Sequence, residues 1–187
     1  MKKIISVLLT LCLCMAVSAQ QHMKFMGIPL DGTVENFALK LKAKGVTYDA
    51  AKSKAMGPGE KAYNGTFMGE KATFMVFFNT KSRVVFGVFV EMSYSSVELA
   101  HVPFVNISEQ LLKKYPKAIY EANKDINGDT NGITFHIPNE AETERIGVII
   151  QTLNKSQSYL KDDCTISLTY TDVDNYQKSE NINNEDL

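Results

Sequence analysis

The chain of 187 residues has few of the residues from which disulfide-bonded, metal or catalytic sites are built. It contains three cysteines, three histidines and no tryptophan. Cys12 and Cys14 lie in the N-terminal apolar segment, so the rest of the chain has Cys164 alone. A lone thiol cannot form an intramolecular disulfide, and the fold must therefore depend on a hydrophobic core. Because Cys164 begins an alternating strand, we predict a small buried side chain there rather than a reactive nucleophile.

Motifs for catalysis and cofactor binding are missing as well. The histidines, His22, His101 and His136, are far apart, and no two have the spacing of metal ligands. We predict a surface position for each of them. Serine nucleophile elbows and phosphate-binding glycine loops are absent from the sequence. The sequence thus identifies no catalytic, cofactor-binding or metal-binding residue, and it favours a protein that is not an enzyme without deciding the question.

Charge of one sign is not in excess. The chain has 20 basic and 21 acidic residues, and removal of Lys2 and Lys3 with an N-terminal leader would leave 18 basic residues, a net charge near −3. Nucleic-acid binding needs a concentrated basic face, so we predict no nucleic-acid partner. No apolar run after the leader is long enough to cross a bilayer, and we predict no integral membrane span.

Residues 1–19 have the three parts of a secretory signal peptide. Two lysines precede an apolar run from Ile4 to Val17, which is shorter than the roughly 20 residues that span a bilayer. Val17 and Ala19 place small residues at the −3 and −1 positions of a signal peptidase site. We therefore predict cleavage before Gln20 and a secreted or periplasmic protein.

A lipoprotein leader is the alternative, because Cys12 and Cys14 lie at a suitable depth in the apolar run. A cysteine that accepts lipid needs a small residue before it, and Leu11 and Leu13 occupy those positions. Lipid anchoring is therefore the less favoured prediction.

The first half of the mature chain alternates helical and strand periodicity. A short lead-in strand is predicted over 22–28. Apolar residues at helical spacing then predict a helix that begins after the N-cap Thr33 and ends at Gly45. Residues 51–61 have no periodicity and predict an exposed loop. Three antiparallel strands follow at 62–68, 71–79 and 83–92.

The second half repeats this pattern. Ser95 and Glu98 form a capping box that begins a second helix, which ends at Pro116. Its apolar stripe keeps its phase across Pro103, so we predict one kinked helix rather than two short ones. Four strands are predicted at 118–122, 132–137, 145–153 and 164–171, the last with a clean alternation of apolar and polar residues. Residues 174–187 are polar and predict a disordered tail.

The two halves, about 29–93 and 95–173, resemble each other in sequence. The segment 64–67 in the first half matches 131–135 in the second. The pattern of each half predicts a helix, a short strand, a turn and three further strands. We predict an α+β fold in one domain over 20–173, built of tandem αββββ units whose helices pack on one face of an antiparallel sheet.

Three segments carry a resemblance to known proteins. The leader at 1–19, the helix entry at 27–33 and the final strand at 166–172 look like those of uncharacterised secreted or periplasmic proteins of Bacteroidetes bacteria. The order of elements is also similar to the β-lactamase-inhibitor-protein-like fold. Members of that fold mostly bind other proteins or assist envelope assembly. This second similarity is one of element order, and it implies no particular site residue.

Two polar segments are candidates for chemistry. Oxygen-bearing side chains alternate from Asp125 to Asn131, as in a calcium loop, but Thr130 replaces the required glycine and His136 the final acid. A polar hairpin turn is the preferred interpretation. The acidic residues Glu140, Glu142 and Glu144 could include a general acid and base, but a solvated loop is again preferred.

Neighbouring aromatic residues supply the one positive indication of a binding surface. Phe77 and Phe78 must face opposite sides of a strand, and an exposed aromatic ring there would suit a contact with protein or glycan. Our leading hypothesis is an exported, non-enzymatic binding module for a protein or peptide of the cell envelope. The alternatives are an envelope-acting hydrolase with an unidentified site and a calcium-stabilised carbohydrate-binding module.

Overall fold

The computed structural model describes residues 22–124, 130–142, 144–155 and 163–184. The predicted signal peptide, its cleavage site and residues 125–129 of the calcium-loop candidate lie outside the described residues. The strands are β1 (Lys24–Phe25), β2 (Ile28–Pro29), β3 (Thr47–Tyr48), β4 (Glu60–Phe67), β5 (Glu70–Phe78), β6 (Val85–Tyr94), β7 (Ile119–Lys124), β8 (Thr130–Pro138), β9 (Arg145–Lys155) and β10 (Cys164–Asp172). The helices are α1 (Val34–Ala43), α2 (Ala50–Lys54), α3 (Val97–Lys114) and α4 (Val173–Asn184).

Strands β3 to β10 form one antiparallel sheet in the order β3-β4-β5-β6-β10-β9-β8-β7, and β1 pairs with β2 in a separate hairpin. The two halves of the chain meet where β6 pairs with β10, with Val90 opposite Leu168. A main helix and four sheet strands come from each half, α1 with β3–β6 and α3 with β7–β10. The predicted α+β fold with tandem αββββ units is therefore confirmed.

Helices α1 and α3 bury their apolar stripes against one face of the sheet. Helix α1 buries Val34, Phe37 and Leu41, and its N-cap Thr33 accepts a hydrogen bond from the Asn36 N–H, as predicted. Gly45 follows the helix at a φ of 81°, a left-handed conformation that glycine adopts without steric cost. One hydrophobic core thus joins both halves of the molecule.

Helix α3 is continuous through Pro103, so the prediction of one helix rather than two is confirmed. Its N-cap is Ser96, whose Oγ accepts a hydrogen bond from the Leu99 N–H, and not Ser95 as predicted. The two serines are adjacent, and the sequence pattern did not distinguish them. Cys164 is buried as predicted, and its Sγ lies 3.2 Å from the Ser96 carbonyl oxygen.

Two further segments differ from their predictions. The predicted loop at 51–61 contains helix α2 and the first residues of β4. Asp49 caps this helix, because its carboxylate accepts a hydrogen bond of 2.9 Å from the Lys52 N–H. Ser53 then bonds the backbone of Ala62, which holds the helix against β4.

The predicted disordered tail from 174 forms helix α4 over the described residues. Its buried side chains are polar: Asn175 donates to the Leu30 carbonyl, and Ser179 accepts from the Asn79 amide. Helix α4 can therefore pack against the rest of the protein despite its polar composition, because hydrogen bonds hold its buried side chains. Among the described residues, no helix has the length and apolar character that a membrane span requires.

Candidate functional site

The face of the sheet opposite α1 and α3 is partly exposed, and we call it the open face. Side chains alternate along each strand, so one set enters the core and the other set faces away from it. On β10, for example, Leu168 and Tyr170 are buried in the core, whereas Thr169 and Thr171 are partly exposed. The open face consists of Thr73, Met75 and Phe77 on β5, Phe89 and Glu91 on β6, Thr165, Ser167, Thr169 and Thr171 on β10, Val148, Ile150 and Thr152 on β9, and Thr134 and His136 on β8.

The strand register aligns five of these residues in a row across the central strands, and we call this the central row. Thr169 lies opposite Phe89 on one side and Ile150 on the other. Met75 continues the row beyond Phe89, and Thr134 continues it beyond Ile150. At about 4.8 Å between strands, the central row is roughly 19 Å long. It combines apolar side chains with hydroxyl groups that can donate or accept hydrogen bonds.

An aromatic group lies at one end of the open face. Phe77 stacks on Phe86 with ring centroids 6.4 Å apart, and Phe86 meets Tyr176 of α4 edge-on at 5.7 Å. Tyr176 is 43% exposed. Phe78 faces the other way and is buried in the core, so the two neighbouring phenylalanines do lie on opposite sides of the sheet. Helix α4 therefore adds an accessible aromatic side chain beside the open face.

Charged side chains of the open face lie toward its margins, with Glu60 of β4 opposite Phe77 and Glu121 of β7 opposite Thr134. Glu91 lies 4.0 Å from the ammonium group of Lys52, and both side chains are substantially exposed. Such a pair contributes little to stability because water screens it. The centre of the open face therefore has mainly apolar and hydroxyl character, and its margins are charged.

The three histidines are dispersed, as their spacing in the sequence indicated. His101 is exposed on α3, and His136 lies on β8 opposite Val148 of the open face. His22 differs from its predicted surface position, because its side chain is 15% exposed and bonds to the buried carboxylate of Asp172. The sequence around His22 does not indicate this contact, because Asp172 lies 150 positions away.

Among the described residues, one group of potential metal ligands comes together: His22, Asp172 and Asp174. Asp172 already accepts hydrogen bonds from the backbone N–H groups of Met23 and Asn175. Asp174 forms an ion pair with Lys178 one helical turn away. The Asp172 carboxylate is therefore engaged in holding the N-terminal segment to α4, and Asp174 pairs within α4 itself.

The acidic cluster of the sequence lies in the turn between β8 and β9. Glu140, Glu142 and Glu144 are all exposed, and Glu142 pairs with Lys117 at 2.7 Å. This matches a solvated loop rather than an enclosed acid–base pair. The calcium-loop candidate falls mostly on residues 125–129, outside the described part of the chain.

The sequence pointed to this face through the adjacent pair Phe77 and Phe78, without deciding which of the two rings is exposed. Phe89 and Ile150 could have been assigned to the same face from strand alternation, but the pairing of β6 with β10 was needed to bring them together. The fold and the open face define an α+β protein with one partly exposed sheet surface. Comparisons with protein families, with curated proteins and with solved structures found no match.

Proposed function

We propose that this chain is an exported, non-enzymatic binding module for a protein or peptide of the cell envelope, and that the open face is its binding surface. The observation that supports this most is the central row, in which Met75, Phe89 and Ile150 are partly exposed beside threonine hydroxyls. Export rests on the predicted signal peptide. The envelope location accords with the resemblance to secreted Bacteroidetes proteins and with the similarity of element order to the β-lactamase-inhibitor-protein-like fold.

The dimensions and composition of the open face suit a protein partner. A stable protein interface buries about 800 Å² on each side. The central row, roughly 19 Å long, extends across part of a patch of that area. Transient protein interfaces combine apolar contacts with hydrogen bonds, and their apolar fraction is close to that of the rest of the protein surface. Phe89 and Ile150 would be the apolar contacts, and the hydroxyl groups of β10 would supply hydrogen bonds.

The arrangement of titratable groups favours binding over hydrolysis. Glu91 on β6 and His136 on β8 are three strand spacings apart across the sheet, roughly 14 Å, and the register offsets them by a further four residues along the strands. A general acid and base that share one substrate bond lie about 5–9.5 Å apart. Glu121 is nearer to His136, but it stands on the exposed edge strand β7, where water is not excluded. An envelope hydrolase and a calcium-stabilised carbohydrate-binding module remain the alternative functions.

Affinity capture with a matched pair of variants tests the proposal. Thr169→Arg places a bulky charge at the centre of the open face, and Thr47→Arg places the same charge on the exposed strand β3. We expect the unmodified protein and Thr47→Arg to recover the same stoichiometric partner from envelope extract, and Thr169→Arg to recover at least tenfold less. Thermal melting of all three proteins checks that each is folded.

Two outcomes would count against the proposal. Equal recovery by all three proteins would show that the open face is not the binding surface, and an absence of any partner would contradict the binding function. Release of soluble fragments from envelope material would favour the hydrolase. A melting temperature that rises in millimolar calcium and falls with chelator would favour the calcium-stabilised module.

A further inference from the structure

A cavity of about 330 Å³ opens at the C-terminal end of α3, on the helix side of the sheet and away from the open face. The segment before β1 forms one wall and the β8–β9 connection another. Its lining is mostly apolar and includes Met23, Ala118, Ile137 and Ile146. Tyr115 closes a third side and donates a hydrogen bond from its hydroxyl to the Lys24 carbonyl. Pockets that bind small molecules start at about this volume and are also mainly apolar.

Two lysines line this cavity without an anionic partner. Among the described residues, the ammonium groups of Lys24 and Lys114 have neither an ion pair nor a hydrogen bond, although Lys114 lies 4.9 Å from the centre of the Tyr115 ring. A third lysine, Lys117, is neutralised by Glu142 at 2.7 Å. Glu140 also lines the cavity, so Lys24 and Lys114 together leave it with an excess of positive charge.

The two free lysines are close enough to affect each other. Partial desolvation lowers the pKa of Lys114, and the positive charge of Lys24 lowers it further. Both effects disfavour the charged ammonium of Lys114. A negatively charged group bound between the two lysines would reverse the second effect and form charge-assisted hydrogen bonds.

We propose that this cavity binds a small amphiphilic carboxylate, with its apolar body against Met23, Ala118 and Ile146 and its carboxylate between Lys24 and Lys114. At about 30 Å³ for a water-sized group, the cavity holds on the order of ten non-hydrogen atoms, which is the size of a medium-chain fatty acid. The charge of the two lysines favours an anion, and the apolar walls favour a hydrocarbon body. The proposal does not depend on the function of the open face, because none of the cavity residues belongs to it.

Calorimetric titration with sodium decanoate tests the site directly, with decanol as the uncharged probe of the same hydrocarbon body. We expect decanoate to bind, and decanol to bind at least tenfold more weakly. The double variant Lys24→Gln/Lys114→Gln should lose at least tenfold in decanoate affinity. Lys113→Gln removes a charge from the same last turn of α3, outside the cavity lining, and should bind decanoate as the unmodified protein does.

A cavity-filling variant separates the apolar contribution from the charge. Ala118→Phe keeps both lysines but occupies the space for the ligand, so decanoate binding should be lost while the melting curve still shows a folded protein. No binding at millimolar decanoate, equal affinity for decanol, or an unchanged affinity in the double lysine variant would each overturn the proposal.

A fatty acid could reach the protein free in solution or within a bilayer, and we infer the free form because the cavity is small. Calorimetry is therefore done below the concentration at which decanoate forms micelles. Sedimentation of the protein with zwitterionic lipid vesicles that contain oleate provides the second measurement. Binding to these vesicles with no binding of free decanoate would also overturn the proposal, since it would indicate a membrane surface instead of a ligand cavity.

Discussion

His22 and Asp172, 150 positions apart in the chain, are joined by a hydrogen bond of 3.0 Å between Nδ1 and Oδ2. The backbone N–H of Met23 donates to the same carboxylate at 2.8 Å, and the N–H of Asn175 donates to its other oxygen at 2.9 Å. Asp172 thus ends β10, caps α4 and holds the N-terminal segment. One carboxylate joins three parts of the chain that are remote in sequence.

Asp172→Ala should lower the free energy of unfolding by about 2–5 kcal/mol, because the buried N–H groups of Met23 and Asn175 would lose their acceptor. His22→Ala removes one bond of a partly exposed ring and should cost less than about 1.5 kcal/mol. Urea unfolding curves of both variants measure the difference. A cost for Asp172→Ala no larger than that for His22→Ala would contradict the assigned role of the carboxylate.

Ile149 and Ile150 are neighbours on β9 that face opposite sides of the sheet, with exposed fractions of 0% and 38%. Ile149→Ala should destabilise the protein by about 2–5 kcal/mol, because it leaves a cavity in the core. Ile150→Ala should cost less than about 1 kcal/mol, since the side chain already contacts solvent. Denaturant midpoints measure both effects. Equal losses would mean that the open face is covered.

Gln151 is fully buried and connects the sheet to α3. Its amide donates a hydrogen bond of 2.8 Å to the Phe104 carbonyl, and its Oε1 lies 2.9 Å from the Ser108 hydroxyl. Gln151→Met should cost about 1–3 kcal/mol because it removes two buried hydrogen bonds, while the Ser108 hydroxyl keeps its bond to the Phe104 carbonyl. The double variant Ser108→Ala/Gln151→Met should lose less than the sum of the two single variants. Strictly additive losses would contradict a direct coupling.

Stability should decline at alkaline pH because of tyrosine burial. Burial raises the pKa of Tyr115 to about 12, and burial, with Tyr48 and Glu35 nearby, raises that of Tyr63 to about 12, from an ordinary value of 10.0. The folded state therefore keeps these groups neutral, while the unfolded chain loses their protons from about pH 10. The contribution of these two tyrosines to the free energy of unfolding is complete below pH 10 and is lost as the pH rises through 12.

Urea unfolding at pH 8 and pH 11 measures this loss, and absorbance near 295 nm follows tyrosinate formation. The variant Tyr63→Phe/Tyr115→Phe should lose less stability between the two pH values than the unmodified protein. An equal loss in both proteins would assign the alkaline effect to other groups.

The elements that were predicted correctly are those whose sequence signal, such as apolar spacing or a cap, is contained within the element itself. Helix α1 was evident from its apolar spacing and from the cap at Thr33, and β10 from alternation between Cys164 and Thr171. Element order repeated in both halves was enough to predict tandem αββββ units. The alternation on β10 also indicated that one face of the sheet packs on a core and the other faces solvent.

Contacts between distant residues decided the rest. Polar residues 174–184 become a helix because Asp172, Leu30 and Asn79 supply hydrogen-bond partners that no local pattern reveals. The central row forms because β6 pairs with β10 and β10 with β9. The two free lysines of the cavity come from β1 and from the last turn of α3, which are far apart in sequence. Periodicity is a local property of the chain and determined the elements. Burial, pairing and the shape of a cavity depend on which elements meet, and only the tertiary structure decided them.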